Sequence, residues 1–396
     1  NNDDALVLSS NCDNAFIDNN TFRNNGETDA GRAIRLYEVD NTIIYNNSIE
    51  SNDYSGIVIT ASNSNSIIHN TIKGNGKYGI SITNDLTKSA NNTIKDNTIN
   101  DNTDNAVYID GIYTTVINNT IKYNERDGIH VSANGARTTI QQNNIVDNEE
   151  NAIHVMGNNV LVTSNTIDGN FRAILVINSR SPTITNNTIE SGEQGIKIQN
   201  TTHAFVYNNT VKDNSGYGIF LQYGSHSGQV KYNTVKDNSD YGIYLYSSNL
   251  AEVVGNTIQD NSGYGILASS SKLVEFKSNT LTGNDGGVKY VDCDYCNLTS
   301  MTIVDNGGPG IWFTSGSDNN YIKDTNSSQD SSVKDVFFTD SNHNIAFNFT
   351  FSTIYVDSNS TLTITSNLEI VFHDGSGDGF QGIDFALLTA GVKVYA

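Results

Sequence analysis

Two histidines in this chain follow the same short pattern, Gly128-Ile129-His130 and Ala152-Ile153-His154. One period earlier the corresponding stretch, Ala106-Val107, is followed by Tyr108 and Asp110, and two periods later Gly195-Ile196 is followed by Lys197. If these small-aliphatic pairs mark equivalent strands, His130, His154, Asp110 and Lys197 share one face. Such a set offers a base to take the proton beside a carboxylate and a cation to neutralise the enolate that results. The competing reading is a plain pair of surface histidines.

The same row carries Tyr108, Phe220, Tyr244 and Trp312, with Tyr246 two residues beyond Tyr244. Aromatic side chains on an open face can stack on sugar rings, and they can equally just shield a sheet. Tyr217, Tyr241 and Tyr264, each just before the glycine, read as a stacked structural row. Cys12 stands near the start, and Cys293 and Cys296, with two residues between them, come much later. The late pair has redox or zinc spacing, but no second ligand pair accompanies it, which favours small core residues or a local disulfide. Glycosylation sequons begin at Asn46, Asn91, Asn118, Asn186, Asn208, Asn297, Asn348 and Asn359, and they carry meaning only outside the cytoplasm. No phosphate-binding loop, His-Glu-x-x-His motif or nucleophile elbow is present.

The positioning of all these residues rests on a repeat. The small-aliphatic pairs recur at Ala33-Ile34, Gly56-Ile57, Gly79-Ile80, Ala106-Val107 and onward to Gly310-Ile311, at intervals of 21 to 27 residues. About eight to ten residues before most of them stands Asn-Thr-Ile or a close variant, such as Asn70-Thr71-Ile72 and Asn165-Thr166-Ile167. A third apolar cluster, such as Ile67-Ile68 or Val116-Ile117, falls between. Runs this short cannot be amphipathic helices, and Gly-Ile-x-Leu alternates with the strand period of two. Three strands per period, coiled so that each lies on its equivalent in the next, give a parallel β-helix of about thirteen turns. The recurring asparagine then sits at an inward bend, bonding to backbone or to the asparagine of the next turn. Gly or Ala before the aliphatic residue suits a bend with no room for a larger side chain.

These residues resemble the right-handed parallel β-helix repeats of the pectate-lyase-like superfamily. The likeness is strongest to the Asn-rich type found in carbohydrate-binding and sugar-hydrolase modules and in archaeal surface proteins. It covers about residues 5 to 325 and is specific for fold rather than for function. It implies a long outward face of the Gly-Ile strands that members commonly use for polysaccharide. The enzymes of the superfamily usually wall their grooves with long insertions, whereas every turn here keeps to its short period. Without walls water is not excluded, and electrostatic stabilisation weakens.

Composition agrees with an all-β coil. Of 396 residues 36% are hydrophobic, 16% charged and only two are proline, as expected where nearly every backbone N–H joins a ladder. The 22 basic and 43 acidic residues give a formal charge of −21, which repels phosphate backbones and anionic membranes and can attract calcium. No other cofactor is implied. No apolar run is long enough to span a membrane, and Asn1 does not open a signal peptide, so the chain reads as mature protein or an excised segment.

We expect the β-helix over residues 1–326 and a β-rich segment over 327–396, either a small β-domain or the entry to another solenoid. Alternating stretches at 344–349, 361–364 and 368–372 read as strands there. Neither end shows a capping helix, so a flanking domain or another subunit of the same surface protein is expected to cover the ends. Two functions follow from this reading. The first is a non-enzymatic extracellular or cell-surface module, a glycoprotein of a surface layer, sheath, fibre or adhesin, self-assembling and binding glycan along its aromatic stripe. The second is a polysaccharide lyase, epimerase or hydrolase working through His130, His154, Asp110 and Lys197.

Overall fold

The computed structural model describes residues 4–26, 31–85, 89–329, 335–351, 353–357, 359–364 and 393–394. The stretch at 368–372 lies outside them. Among the described residues every regular element is a β-strand, and no helix is long and apolar enough to cross a membrane. The chain divides into two compact units, Asn1–Glu193 and Gln194–Ala396.

In the first unit three parallel sheets run side by side, each taking one strand from every turn. The first sheet holds the small-aliphatic strands. Its register sets Ile34 against Ile57, Ile57 against Ile80, Ile80 against Val107, Val107 against Ile129, Ile129 against Ile153 and Ile153 against Ile174. All of these are fully buried. The second sheet aligns Ile44, Ile67, Ile94, Val116, Ile140, Val162 and Ile184 in the same way. The Asn-Thr-Ile strands make the third, with Ile49, Ile72, Ile99, Ile121, Ile145, Ile167 and Ile189 in one inward column. Each strand is so short that a single inward residue fixes its register, because a slip of one residue would expose the aliphatic side chain. Burying each one is worth roughly 1.5 to 3 kcal/mol before chain entropy is subtracted.

The corners are as regular as the strands. Between the second and third sheets the Asn-Thr-Ile asparagine turns inward and accepts the backbone N–H of its equivalent one turn earlier. The column runs from Asn47 through Asn70, Asn97, Asn119, Asn143 and Asn165 to Asn187, at 2.8 to 3.0 Å. Each amide nitrogen is satisfied too: that of Asn97 donates to the carbonyls of Ile67 and Lys95 and to Asn119 Oδ1. Buried polar groups so fully paired specify the bend rather than weaken it.

A second asparagine column, which the sequence reading did not separate from the first, occupies the corner between the third and first sheets. It runs from Asn52 through Asn75, Asn102, Asn124 and Asn148 to Asn170. Where the chain enters the first sheet the backbone is crowded, and a Cβ on Gly79 would lie 2.6 Å from the Ala106 carbonyl oxygen. Many corner residues have left-handed backbone, which asparagine tolerates better than most residues.

The second unit repeats this plan. Ile196, Ile219, Ile243, Ile266, Val288, Ile311, Val336 and Ile354 form one inward column of its first sheet. The Val336–Phe338, Asn344–Phe347, Thr350–Phe351 and Ile354–Val356 strands, all beyond residue 326, therefore extend the same parallel sheets. Its interior departs from that of the first unit in several places. Tyr290, Phe313 and Phe338 replace aliphatic residues in one column and stack at 4.4 and 5.0 Å. In the first asparagine column, Asn209, Asn233, Asn256 and Asn279 lead to Met301, whose Sδ receives the Asn279 backbone and amide N–H groups at 3.4 Å. Cys293 and Cys296 are buried in this unit as free thiols, and Cys12, in the first unit, is free and exposed. Cys293 stands in a serine column, its N–H donating to Ser317 Oγ, so the two late cysteines act as small core residues.

Candidate functional site

The first sheet of the first unit brings the two histidines together. In the Ile129–Val131 and Asn151–Val155 strands the aliphatic residues on either side of each histidine point inward, which turns His130 and His154 outward in direct register. Tyr108 is in register with His130 one turn earlier. Its ring stacks on His130 at 5.4 Å and on Tyr78 at 5.2 Å, so the histidine ring plane is set by a short aromatic column. Burial pushes the Tyr108 phenol above its ordinary range.

The carboxylate that serves these histidines is Asp127, not Asp110. Asp127 is buried at the bend just before Gly128. Its Oδ2 lies 2.8 Å from His130 Nδ1 and 3.2 Å from His154 Nδ1. Its Oδ1 accepts the Asn151 backbone N–H at 3.0 Å and the Asn151 side-chain amide at 2.6 Å. Burial alone would raise its pKa, but the hydrogen bonds from His130, His154 and Asn151 outweigh burial and hold it well below the usual carboxylate range. An ionised carboxylate only accepts, so Nδ1 is the protonated nitrogen of both rings as they stand. Asp110 lies just past the Val107–Ile109 strand and instead accepts from Ser132 Oγ and from Asn134 Nδ2. Lys197 belongs to the second unit, where its Nζ lies 5.6 Å from the centre of the Phe220 ring. The structure thus joins His130 and His154, replaces Asp110 by a residue the sequence reading passed over, and associates Lys197 with an aromatic ring.

Asp127 was detectable in principle. It occupies the position before the small residue, Gly128, that Asn105 and Asn151 hold before Ala106 and Ala152 in the adjacent turns, and its backbone N–H donates to Asn105 Oδ1. One acid among two amides in a periodic column is the signal. Chemically, the cluster can orient two imidazoles, and its three side chains offer ligand atoms all within 4.8 Å of one another.

The second unit carries the aromatic face. Phe220 and Tyr244 stack with ring centres 4.6 Å apart and planes 2° from parallel. Tyr217 packs on both at 5.0 and 5.6 Å, and Tyr241 stacks on Tyr217 at 5.9 Å. Tyr246 lies 6.2 Å from Tyr244 and meets the exposed Tyr223 edge-on at 5.3 Å. The structured tyrosine row therefore holds for Tyr217 and Tyr241, while Tyr264 packs over Gly286, where a Cβ would lie 2.4 Å from the ring.

Phe220 departs from its expected role as an open sugar platform, because its residue is only 8% exposed. Outward rings on successive turns stand one strand spacing apart, close enough to cover each other's faces, and what remains at the surface is edges and hydroxyls. The Tyr244 phenol is pushed up to about 12, chiefly by burial. Further along the unit, Lys289 Nζ lies 4.0 Å from the centre of the Trp312 ring, and Trp312 Nε1 donates to Thr339 Oγ1 at 2.8 Å. The sequon asparagines 46, 91, 118, 186, 208, 297, 348 and 359 are all exposed. Those of Asn118 and Asn348 donate their amides to Asp96 and Asp324.

Among solved structures the chain is similar to the A-module of the mannuronan C-5 epimerase AlgE4 from Azotobacter vinelandii. The identity is 14%, over 79% of this chain and 89% of that one, with a TM-score of 0.49. The AlgE6 A-module from the same organism gives 12% over 78% and 89%, with a TM-score of 0.48. A periplasmic alginate epimerase, AlgG, gives 14% over 73% and 77%, with a TM-score of 0.43. None of these likenesses bears on what the chain does. No curated protein matches it in sequence. The family model for the right-handed beta helix region matches residues 1–145, 85–189 and 128–281, and together with the three parallel sheets it establishes that this chain belongs to the right-handed β-helix family.

Proposed function

We propose that the chain is an extracellular, cell-surface β-helical module that binds glycan without transforming it, through the outward aromatic face of its second unit. The observation that carries this reading is the connected group Tyr217, Phe220, Tyr241, Tyr244, Tyr246 and Tyr223, with every neighbouring pair of ring centres within 6.2 Å. Phe220 is the covered centre, and the tyrosines offer ring edges and hydroxyls that suit the mixed polar and apolar faces of a sugar. Exposed sequons and a strongly acidic composition fit a surface glycoprotein whose partners are polysaccharide and the neighbouring polypeptide of the same surface protein. Catalysis through His130 and His154 has less support, since the carboxylate and cation first grouped with them face other partners.

Affinity electrophoresis against a panel of neutral and uronic acid polysaccharides tests the proposal. The intact protein should be retarded by at least one of them, with Tyr244→Ala and Tyr246→Ala together abolishing the retardation. Retardation that survives this double variant, or shortened or unsaturated sugar products that vanish in His130→Ala, would reject it.

A further inference from the structure

We propose that Asp127, His130 and His154 form a binding site for one divalent transition-metal ion, zinc or copper. The donor set is one carboxylate oxygen and two imidazole nitrogens, which suits these ions. Calcium and magnesium are better served by oxygen ligands.

Three features of the geometry make it a site rather than a chance cluster. First, the donors are nearly in place. Ligands sharing a tetrahedral zinc ion at about 2.0 to 2.1 Å lie roughly 3.3 Å from one another. Asp127 Oδ2 is 2.8 Å from one imidazole nitrogen and 3.2 Å from the other, so small side-chain rotations open the space for an ion.

Second, the ligands are held from outside. The Asn151 backbone and amide N–H groups both bind Asp127 Oδ1, leaving Oδ2 turned toward the imidazoles, and Tyr108 stacks on the His130 ring. Hydrogen bonds to a ligating carboxylate are the usual second layer of a metal site. Third, His154 Nε2 is buried and meets no hydrogen-bond partner, so Nδ1, together with edge-on packing on the His130 ring at 4.6 Å, orients that ring.

The ladder adds rigidity, because His130 and His154 are paired directly across adjacent strands. Both side chains keep some contact with solvent, 18% and 17% exposed, which gives an ion a route in and leaves a fourth position for water. Binding replaces the two Nδ1 protons, which leave to solvent, and the acidic chain raises the local cation concentration.

The test uses the whole chain after treatment with a chelator. Zinc is titrated by calorimetry into the unmodified protein and into His130→Gln, His154→Gln and His69→Gln. The last alters a histidine outside this cluster, which lies 3.7 Å from Asp96 and edge-on to Tyr45. The expected result is one ion per chain, affinity lower by about 100-fold or more in each of the first two variants, and no change in the third. No saturable binding to the unmodified protein, or binding that persists in both His130→Gln and His154→Gln, overturns the proposal. Should either variant fail to fold, the electron paramagnetic resonance spectrum of copper on the unmodified protein decides. Hyperfine coupling to two imidazole nitrogens supports the site, and one or none rejects it.

Discussion

The first-sheet strands of each unit follow the same register rule and bury the same kind of aliphatic column, yet the outward faces of the two are built from different materials. In the first unit Tyr78, Tyr108, His130 and His154 form a run of packed rings, and a buried carboxylate hydrogen-bonds the two histidines at its end. In the second unit Phe220 and Tyr244 lie flat on one another and ring packing organises the face. Inside, Ile129 and Ile153 correspond to Ile219 and Ile243, all fully buried. The lesson is that a coil of this kind fixes where an outward side chain stands and leaves open what it is. The interior has no such freedom, because each inward residue touches the turns on both sides.

The comparison can be broken first at the shared interior. Asn119→Leu should cost on the order of 3 kcal/mol in a urea melt, since it strands the Asn97 N–H and the Ile94 carbonyl in a buried corner. A loss under 1 kcal/mol would show that the column is decoration. Next comes the cohesive face: Phe220→Ala should cost about 2 kcal/mol, as expected for a largely buried aromatic ring. A neutral result would make the second face as independent of stability as an open surface.

Met301→Asn should work in the other direction. An amide in place of the thioether restores a strong acceptor for Asn279 and should raise stability by about 1 kcal/mol, read as a higher denaturation midpoint. The smallest effect is spectroscopic. Because the folded Tyr244 phenol ionises near 12 and an unfolded one near 10, its contribution to stability is complete below pH 10 and fades as pH rises toward 12. Tyr244→Phe should remove one late-titrating tyrosine from the ultraviolet absorbance curve and soften the alkaline loss of stability. Loss of a component titrating near 10 instead would place the ring in water.

Much of the fold was legible because it depends on single residues at a fixed beat. The inward Ile and Val columns and the first asparagine column followed from spacing alone, since one buried side chain per strand sets the register. The second asparagine column was there to be found, five residues after the first, as in Asn97 and Asn102 or Asn119 and Asn124. It was hidden because the residues around it follow no fixed pattern, from Ser51 and Asp53 to Tyr123 and Phe171. The site was less readable. His130 and His154 were found by their column, but Asp127 reaches them from a bend three residues upstream of His130, and a row-by-row reading does not cross bends. Phe220 was placed correctly and given the wrong exposure, because the cover that Tyr244 provides depends on ring orientation, which residue identity does not encode.

The corner amides have one more implication. Each shares its hydrogen bonds only with its own coil and the coils on either side, as Asn97 does with Ile67, Lys95 and Asn119, so no rung refers to any distant part of the chain. Excising or duplicating one whole period, such as 129–152, would rejoin two matching cross-sections without orphaning a donor. A gene encoding such a protein can lengthen or shorten it in whole-coil steps while the remaining coils fold as before.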